Sequence, residues 1–316
     1  MAEPLICLMG PTAAGKTDAA VALAESFDVE LISVDSALVY RGLCIGAAQP
    51  DYPHHLIDIR DPADVYTAAN FVEDTLSCIA DARARGRRAV LVGGTMMYYR
   101  ALIQGLSDMP ASDPVIRAEI EREASRVGWP EMHRELSAVD PDAANGLHPN
   151  HSQRISRALE VFRQTGIPMS QWQRANTHEA RDAICLALAP EDRATLHARI
   201  ETRFDRMLEA GFVEEVEALF NRGDLHTDLP AIRAVGYRQI WSHLSGEYSL
   251  EDARDKGIAA TRQLAKRQIT WLRGWSGLHW INSEAKDVQE QVKNQLRNYL
   301  EACLLYTSPS PRDNTT

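Results

Sequence analysis

No stretch of this chain approaches the roughly 20 consecutive apolar residues that a membrane-spanning helix needs. The start has no basic leader. Its one apolar run, Leu5–Met9, is short and leads straight into a glycine loop, so an export signal is not expected. Cysteine is sparse: Cys7, Cys44, Cys78, Cys185 and Cys303 are odd in number, scattered, and form no Cys-x-x-Cys. That excludes a disulfide scaffold and suits reduced thiols in a cytoplasmic protein. The histidines show no metal spacing, and the adjacent His54 and His55 cannot share one helix face, which speaks against zinc. Positive charge is short as well. The net charge of −10 is, taken whole, the wrong sign for a nucleic-acid binder.

The 316 residues are 45% hydrophobic and 25% charged, enough for sizeable cores and about two domains. Strand and helix signals alternate at first. Residues 4–9 read as a buried strand, Asp18–Phe27 as a helix and Val29–Val34 as a strand. His55–Ile59 reads as a further short strand, Ala69–Arg85 as an amphipathic helix and Ala89–Val92 as a strand. This order predicts a parallel, doubly wound α/β sheet. From about Asp108 helical periodicity takes over, as in Pro114–Val127 and Ser152–Gln164, between scattered prolines. The division expected is an α/β core over 1–108, a helical insertion over 109–183, and the mostly helical remainder of the core over 184–303. Within that remainder Leu186–Leu188 reads as a returning strand, and Arg193–Arg222 and Leu250–Arg273 as helices. Residues 304–316, rich in Ser, Thr and Pro, are expected to be disordered, and whether they are native or foreign stays open.

The strongest motif is Gly10-Pro11-Thr12-Ala13-Ala14-Gly15-Lys16-Thr17, which satisfies G-x-x-x-x-G-K-[ST]. Glycines let successive backbone N–H groups turn inward around phosphate oxygens, and the following helix adds its positive dipole end. Lys16 supplies charge, and the Thr17 hydroxyl is a candidate ligand for Mg²⁺. The motif specifies a phosphate chain and leaves its carrier open.

In an open α/β sheet, ligands bind beyond the carboxyl ends of the strands. Asp35 ends the second predicted strand and Thr95 follows the strand that ends in Gly93-Gly94. Both are candidates for the same edge. Asp35 suits a general base, a Mg²⁺ ligand or a simple turn residue. The apolar strand Ala89–Val92 ends in Gly-Gly-Thr, where a hydrolytic P-loop enzyme would carry an aspartate. The phosphates are therefore read as a leaving group. A small-molecule or nucleotide kinase, and a binding protein without catalysis, remain the competing readings.

Several longer blocks carry a resemblance. LMGPTAAGKT, LISVDSALVYRGL, HLIDIRDP, LVGGTMMYYRAL, PAIRAVGYRQIW and ATRQLAKRQITWLRGW stand in the order found in the bacterial tRNA dimethylallyltransferases, from about Pro4 to Asn282. The chain departs from that family at Gly46-Ala47-Ala48-Gln49-Pro50, where members usually have Gly-Thr-Ala-Lys-Pro. The resemblance implies transfer of a dimethylallyl group from dimethylallyl diphosphate to N6 of the adenosine 3′ to the anticodon, in tRNAs reading codons that start with U. It implies that Gly10–Thr17 and Arg203 hold the diphosphate, with Mg²⁺ at Thr17. It makes Asp35, Thr95 and Lys16 the catalytic set, with Asp35 taking a proton from the attacking amine. It implies tRNA contacts by Asp35, Ser36, Ala37, Leu38, Thr95 and Arg117, and by Gln153, Arg154, Ile155, Ser156 and Arg157. Arg233, Ala234, Val235, Gly236, Tyr237 and Arg238 follow. So do Lys266, Arg267, Gln268, Ile269, Thr270, Trp271, Leu272 and Arg273. The helical insertion would grip the anticodon stem-loop, and a monomer is expected. A close variant of this reading prenylates free adenine nucleotides.

Taken singly, Trp241, Trp271 and Trp275 are expected in the core, where such rings usually pack. For Tyr40 and Tyr98 core and site are both open.

Overall fold

The structure is a computed structural model describing residues 3–175 and 180–307, with side chains to residue 299. In chain order the elements are β1 (Leu5–Met9), α1 (Lys16–Ser26), β2 (Val29–Val34), α2 (Ala68–Ala84), β3 (Arg88–Gly93) and α3 (Met96–Gln104). Then come α4 (Pro114–Val127), α5 (Trp129–Val139), α6 (Pro141–Asn145), α7 (Ser152–Thr165) and α8 (Met169–Arg174). The chain returns with β4 (Ala183–Ala189), α9 (Arg193–Glu209), α10 (Phe212–Phe220), α11 (Tyr237–Leu244), α12 (Leu250–Arg273), β5 (Leu278–Asn282) and α13 (Val288–Thr307). No described helix is long and apolar enough to cross a membrane.

The chain divides into two compact units, one comprising the chain up to Ala101 and from Arg181 onward, the other Leu102–Ala180. The first unit is an α/β layer structure around one five-stranded sheet in the order β2-β3-β1-β4-β5, with every pair parallel. Strand alternation decides its faces. Ile6, Leu8, Leu31, Val90, Val92, Leu186 and Leu188 form one cluster with Ala19, Ala20 and Leu23 of α1 and with Val292 and Leu296 of α13. Behind the sheet the buried Tyr99 donates its hydroxyl to the Leu8 and Leu91 carbonyls, each at 3.1 Å. The four described cysteines are free thiols, and Cys7 lies in register with Cys185.

The second unit has its own core: Ile120, Ala124, Met132, Leu136, Ile155, Ala158 and Leu159 pack α4, α5 and α7 together. Its centre also holds a buried carboxylate. Glu160 accepts from Ser112 Oγ at 2.6 Å and the Asp113 amide at 2.7 Å, and pairs with Arg117 and Arg157. Burial would raise this carboxyl. The hydrogen bonds from Ser112, Arg157 and Asp113 and the Arg117 charge prevail and hold it below its ordinary value.

The structure corrects several sequence expectations. His55–Ile59 is no strand: His55 makes one bridge to Ile32, and Leu56 and Asp58 then take positive φ (65° and 55°), which breaks the extended run. Arg193–Arg222 is two helices, because the chain turns at Gly211 with φ 96°. β5 was not foreseen. Helix α13 runs to Thr307, so disorder does not set in at residue 304, while residues 308–316 lie outside the described residues. The units divide at 102 and 181, where 109 and 184 were expected.

Candidate functional site

The P-loop leaves β1 and enters α1 through Gly15, which holds φ 82° and allows the helix to start directly at Lys16. Beside it, at the carboxyl ends of the strands, lies a cavity of about 520 Å³. Thr12, Lys16, Thr17, Asp35, Thr95 and Arg203 all line it. The structure thus brings together candidates that lie almost 200 positions apart in the chain.

Two cations define the cavity's chemistry. Lys16 Nζ donates to the Pro11 carbonyl at 2.7 Å. Burial, then the nearby Arg203 charge, push Lys16 down to about 8, against a smaller opposite pull from Asp35. Burial also lowers Arg203 from its ordinary value, with Asp35 acting against it. Among the described residues no hydrogen bond or ion pair engages the Arg203 guanidinium. Cations so placed are held at a cost unless an anion joins them.

Asp35 is positioned by the turn after β2. Its Oδ1 accepts the Ala37 amide at 2.8 Å and the Leu38 amide at 3.3 Å, which leaves Oδ2 without a protein donor among the described residues. Thr95 closes this corner. Its amide donates to the Val34 carbonyl and its Oγ1 accepts the Ser36 amide, both at 3.2 Å. The Thr95 hydroxyl proton remains to be donated elsewhere.

Gln268 ties the P-loop to the Gly-Gly-Thr turn. Its Oε1 accepts the Thr12 amide at 2.9 Å and its Nε2 donates to the Gly94 carbonyl at 2.8 Å. A Cβ on Gly94 would stand 2.4 Å from that Nε2, so a larger residue there would push the Gln268 side chain out of this bridge. The sequence offered Gln268 as an RNA contact, but its side chain is buried in this bridge.

The loop at Cys44–Ala47 is held by groups that sequence reasoning missed. The Glu215 carboxylate accepts the amides of Cys44, Ile45 and Gly46 at 3.0, 2.7 and 3.1 Å and the Tyr237 hydroxyl at 2.6 Å. The Ala47 amide donates to the Tyr237 hydroxyl, and Gln49 Nε2 donates to Asp58. The loop is anchored through its backbone, so the unusual Ala47 and Gln49 leave that anchoring intact. No local signal marks Glu215, which lies on a helix among other acidic residues.

The remaining candidates separate by exposure. Ser36, Gln153, Arg154, Arg233, Arg238, Lys266, Arg267, Thr270 and Arg273 are exposed. Ala37, Leu38, Ala234, Val235 and Ile269 are partly buried. Ile155, Ser156, Gly236, Tyr237 and Leu272 are buried and contribute packing. Arg157 is engaged with the Pro110 carbonyl and Glu160, and Arg117 with Glu160. Arg163 and Arg174 also have carboxylate partners, so of the four arginines from His151 to Arg174 only Arg154 is unpaired among the described residues. Trp241 is buried as expected and Trp275 half-buried, but Trp271 is 38% exposed. Trp271 lies at the cavity with the Arg100 guanidinium 5.9 Å from its ring centroid. It belongs to the outward side of α12, whereas Leu272 faces in. Tyr40 and Tyr98 prove to be both core and site: each is buried, each lines the cavity, and each hydroxyl bonds to the Tyr66 backbone.

Comparison with known proteins gives this arrangement a family. The family model described as IPP transferase matches residues 38–275. The chain belongs to the IPP transferase family. It is 50% identical to tRNA dimethylallyltransferase 2 of Hahella chejuensis (strain KCTC 2396), covering 95% of this chain and 97% of that relative. It is 53% identical to the tRNA dimethylallyltransferase of Coxiella burnetii (strain RSA 493 / Nine Mile phase I), over 93% and 97% of the two chains. Among solved structures it resembles the full-length tRNA isopentenylpyrophosphate transferase of Bacillus halodurans. There the TM-score is 0.70 at 34% identity, covering 96% of this chain and all of that one. The fold also matches a eukaryotic dimethylallyltransferase acting on tRNA, at TM-score 0.80 and 23% identity, over 99% of this chain and 82% of that one. In this IPP transferase, then, the P-loop lysine, a second unpaired cation and an open carboxylate share one cavity.

Proposed function

We propose that this chain transfers a dimethylallyl group from dimethylallyl diphosphate to N6 of an adenosine in tRNA and releases diphosphate. The acceptor is the adenosine 3′ to the anticodon in tRNAs reading codons that start with U. The observation that carries the reading is the pairing of opposite demands in one cavity. Lys16 and Arg203 offer uncompensated positive charge beside the P-loop amides, while Asp35 presents an open carboxylate oxygen.

In the reaction the N6 lone pair forms a bond to C1 of the dimethylallyl group. The C1–O bond breaks, and its electron pair leaves with the diphosphate. The N6 proton passes to Asp35. An exocyclic amine of adenine is a poor nucleophile, so a positioned base is worth roughly 10²–10⁴ in rate. Charge developing on the departing diphosphate meets Lys16, Arg203 and the loop amides, which are already in place.

Mg²⁺ is the proposed cofactor. The Thr17 hydroxyl, in the first turn of α1, suits a hard cation that prefers oxygen ligands. Among the described residues no group of three or more His, Cys, Asp or Glu could hold a metal, so the diphosphate and water would complete the ligand set. When bound, the ion neutralises charge on the diphosphate.

The acceptor base must leave its stack to reach Asp35. Lys266, Arg267 and the exposed Trp271 suit a phosphate backbone and an unstacked base. In the second unit, Arg154 supplies exposed charge for the anticodon stem-loop. Incubation with labelled dimethylallyl diphosphate, Mg²⁺ and unmodified tRNA tests the proposal. Label on the adenosine beside the anticodon is expected. Folded, diphosphate-binding protein that leaves the tRNA unlabelled would contradict it.

A further inference from the structure

Ser33 lies in β2, two residues before Asp35, and nothing in the catalytic reading uses it. It is 3% exposed, and its Oγ has no hydrogen-bond partner among the described residues. Its amide donates to the His55 carbonyl at 3.0 Å. A buried hydroxyl without a partner is disfavoured and calls for an explanation.

Its direction follows from the strand. Leu31 packs in the cluster with Ala19, Ala20 and Leu23 of α1. Side chains two apart share a face, so Ser33 also points toward α1, one step nearer the P-loop. Ser33 lines the cavity together with Lys16 and Thr17, the first two residues of α1. Leu31 and Ser33 thus form a stripe along β2 that passes from the core toward Asp35 and the site.

Of the buried serine and threonine hydroxyls, Thr75 and Ser156 also lack partners among the described residues. Both lie inside helices, where such groups can turn back to the carbonyl four residues earlier, and neither lines the cavity. Ser33 has no such resort, because a strand side chain stands away from the plane of its own backbone carbonyls.

We propose that the Ser33 hydroxyl is a binding group for the Mg²⁺–diphosphate end of the donor, completed by a diphosphate oxygen or a metal-bound water. This rests on the diphosphate reading of the P-loop. It adds a second hydroxyl, from β2, to the one that Thr17 offers from α1.

The test compares wild type with Ser33→Ala, using inorganic pyrophosphate as the probe, once with Mg²⁺ and once with EDTA. Calorimetry gives the affinity and thermal unfolding gives the stability. Without pyrophosphate, Ser33→Ala should unfold at the same temperature or higher, because the hydroxyl it removes has no partner. With pyrophosphate, its Kd should rise about 10-fold, as for loss of a hydrogen bond to a charged group, and the ligand-induced rise in Tm should shrink. Weakening in both arms identifies a diphosphate oxygen as the partner. Weakening only with Mg²⁺ identifies a metal-bound water. Ser33→Cys, nearly isosteric and a weak donor, should move the same way by less, and it serves as the readout should the alanine variant not fold. Equal pyrophosphate affinity in wild type and variant, in both arms, overturns the Ser33 inference and leaves the P-loop reading standing. Wild type that binds no pyrophosphate overturns both.

Discussion

The Thr12 amide donates to Gln268 Oε1 across 256 residues of sequence, at 2.9 Å. The other end of the same side chain holds the Gly94 carbonyl at 2.8 Å. One residue of α12 therefore fixes the spacing between the P-loop and the turn that carries Thr95. On the same helix, Arg267 and Trp271 are exposed at the cavity.

Gln268→Ala should loosen the donor site before it affects RNA binding. Losing both hydrogen bonds is expected to cost about 1–3 kcal/mol in stability. The KM for dimethylallyl diphosphate should rise several-fold while tRNA affinity stays near wild type. Urea unfolding and steady-state kinetics with each substrate varied would check this.

Asp35→Ala should keep tRNA and pyrophosphate binding and lose transfer by roughly 10²–10⁴. Single-turnover assays with saturating substrates measure it. Transfer at the wild-type rate would remove Asp35 as the proton acceptor.

Lys16 sets a pH dependence. Its folded value, about 8, lies below its ordinary 10.5. Between these values the unfolded chain holds more protons than the folded one, so this residue's contribution to stability rises with pH across that window. Diphosphate binding needs the protonated amine and should weaken above about pH 8. A pyrophosphate titration across pH 7–10 should therefore show Kd rising while the free protein loses nothing from this group. Lys16→Met should flatten the binding profile.

The basic end of α12 predicts a salt effect. Lys266 and Arg267 are exposed and without ion-pair partners among the described residues. Replacing both with alanine should lower the slope of log affinity for tRNA against log salt by about 1.4, from ~0.7 per phosphate contact in single strands. Binding measured at several salt concentrations would show an unchanged slope if this helix does not touch the RNA.

Glu215→Ala should release the loop at Cys44–Gly46. Its carboxylate accepts amides from all three residues and the Tyr237 hydroxyl. Leaving these partly buried donors unpaired is expected to cost on the order of 3 kcal/mol. Thermal unfolding and protease cleavage within the loop would report it.

Much of the sheet was legible in the sequence because its strands are short apolar runs with turn signals at both ends. β1, β2, β3 and β4 all stood out this way. β5 did not, because as an edge strand it exposes His279 and Trp280 and loses the apolar run. The P-loop, Asp35 and Thr95 were legible because their positions at strand ends are local facts. Glu215 and the internal role of Gln268 were not, since each depends on a partner far away in the chain. Trp271 was misread because ring size alone favours the core, and only the facing of α12 places it outward. Ser33 was within reach: strand alternation puts it on Leu31's face, one step nearer the P-loop.

In the proposed function the P-loop holds a leaving diphosphate and not a nucleotide to be hydrolysed. The most direct test supplies dimethylallyl diphosphate, ATP, unmodified tRNA and AMP together, and counts products. One pyrophosphate should be released for each dimethylallyl group gained by tRNA, with no label in AMP and no ATP consumed. ATP turnover, or label in AMP in place of tRNA, would contradict it.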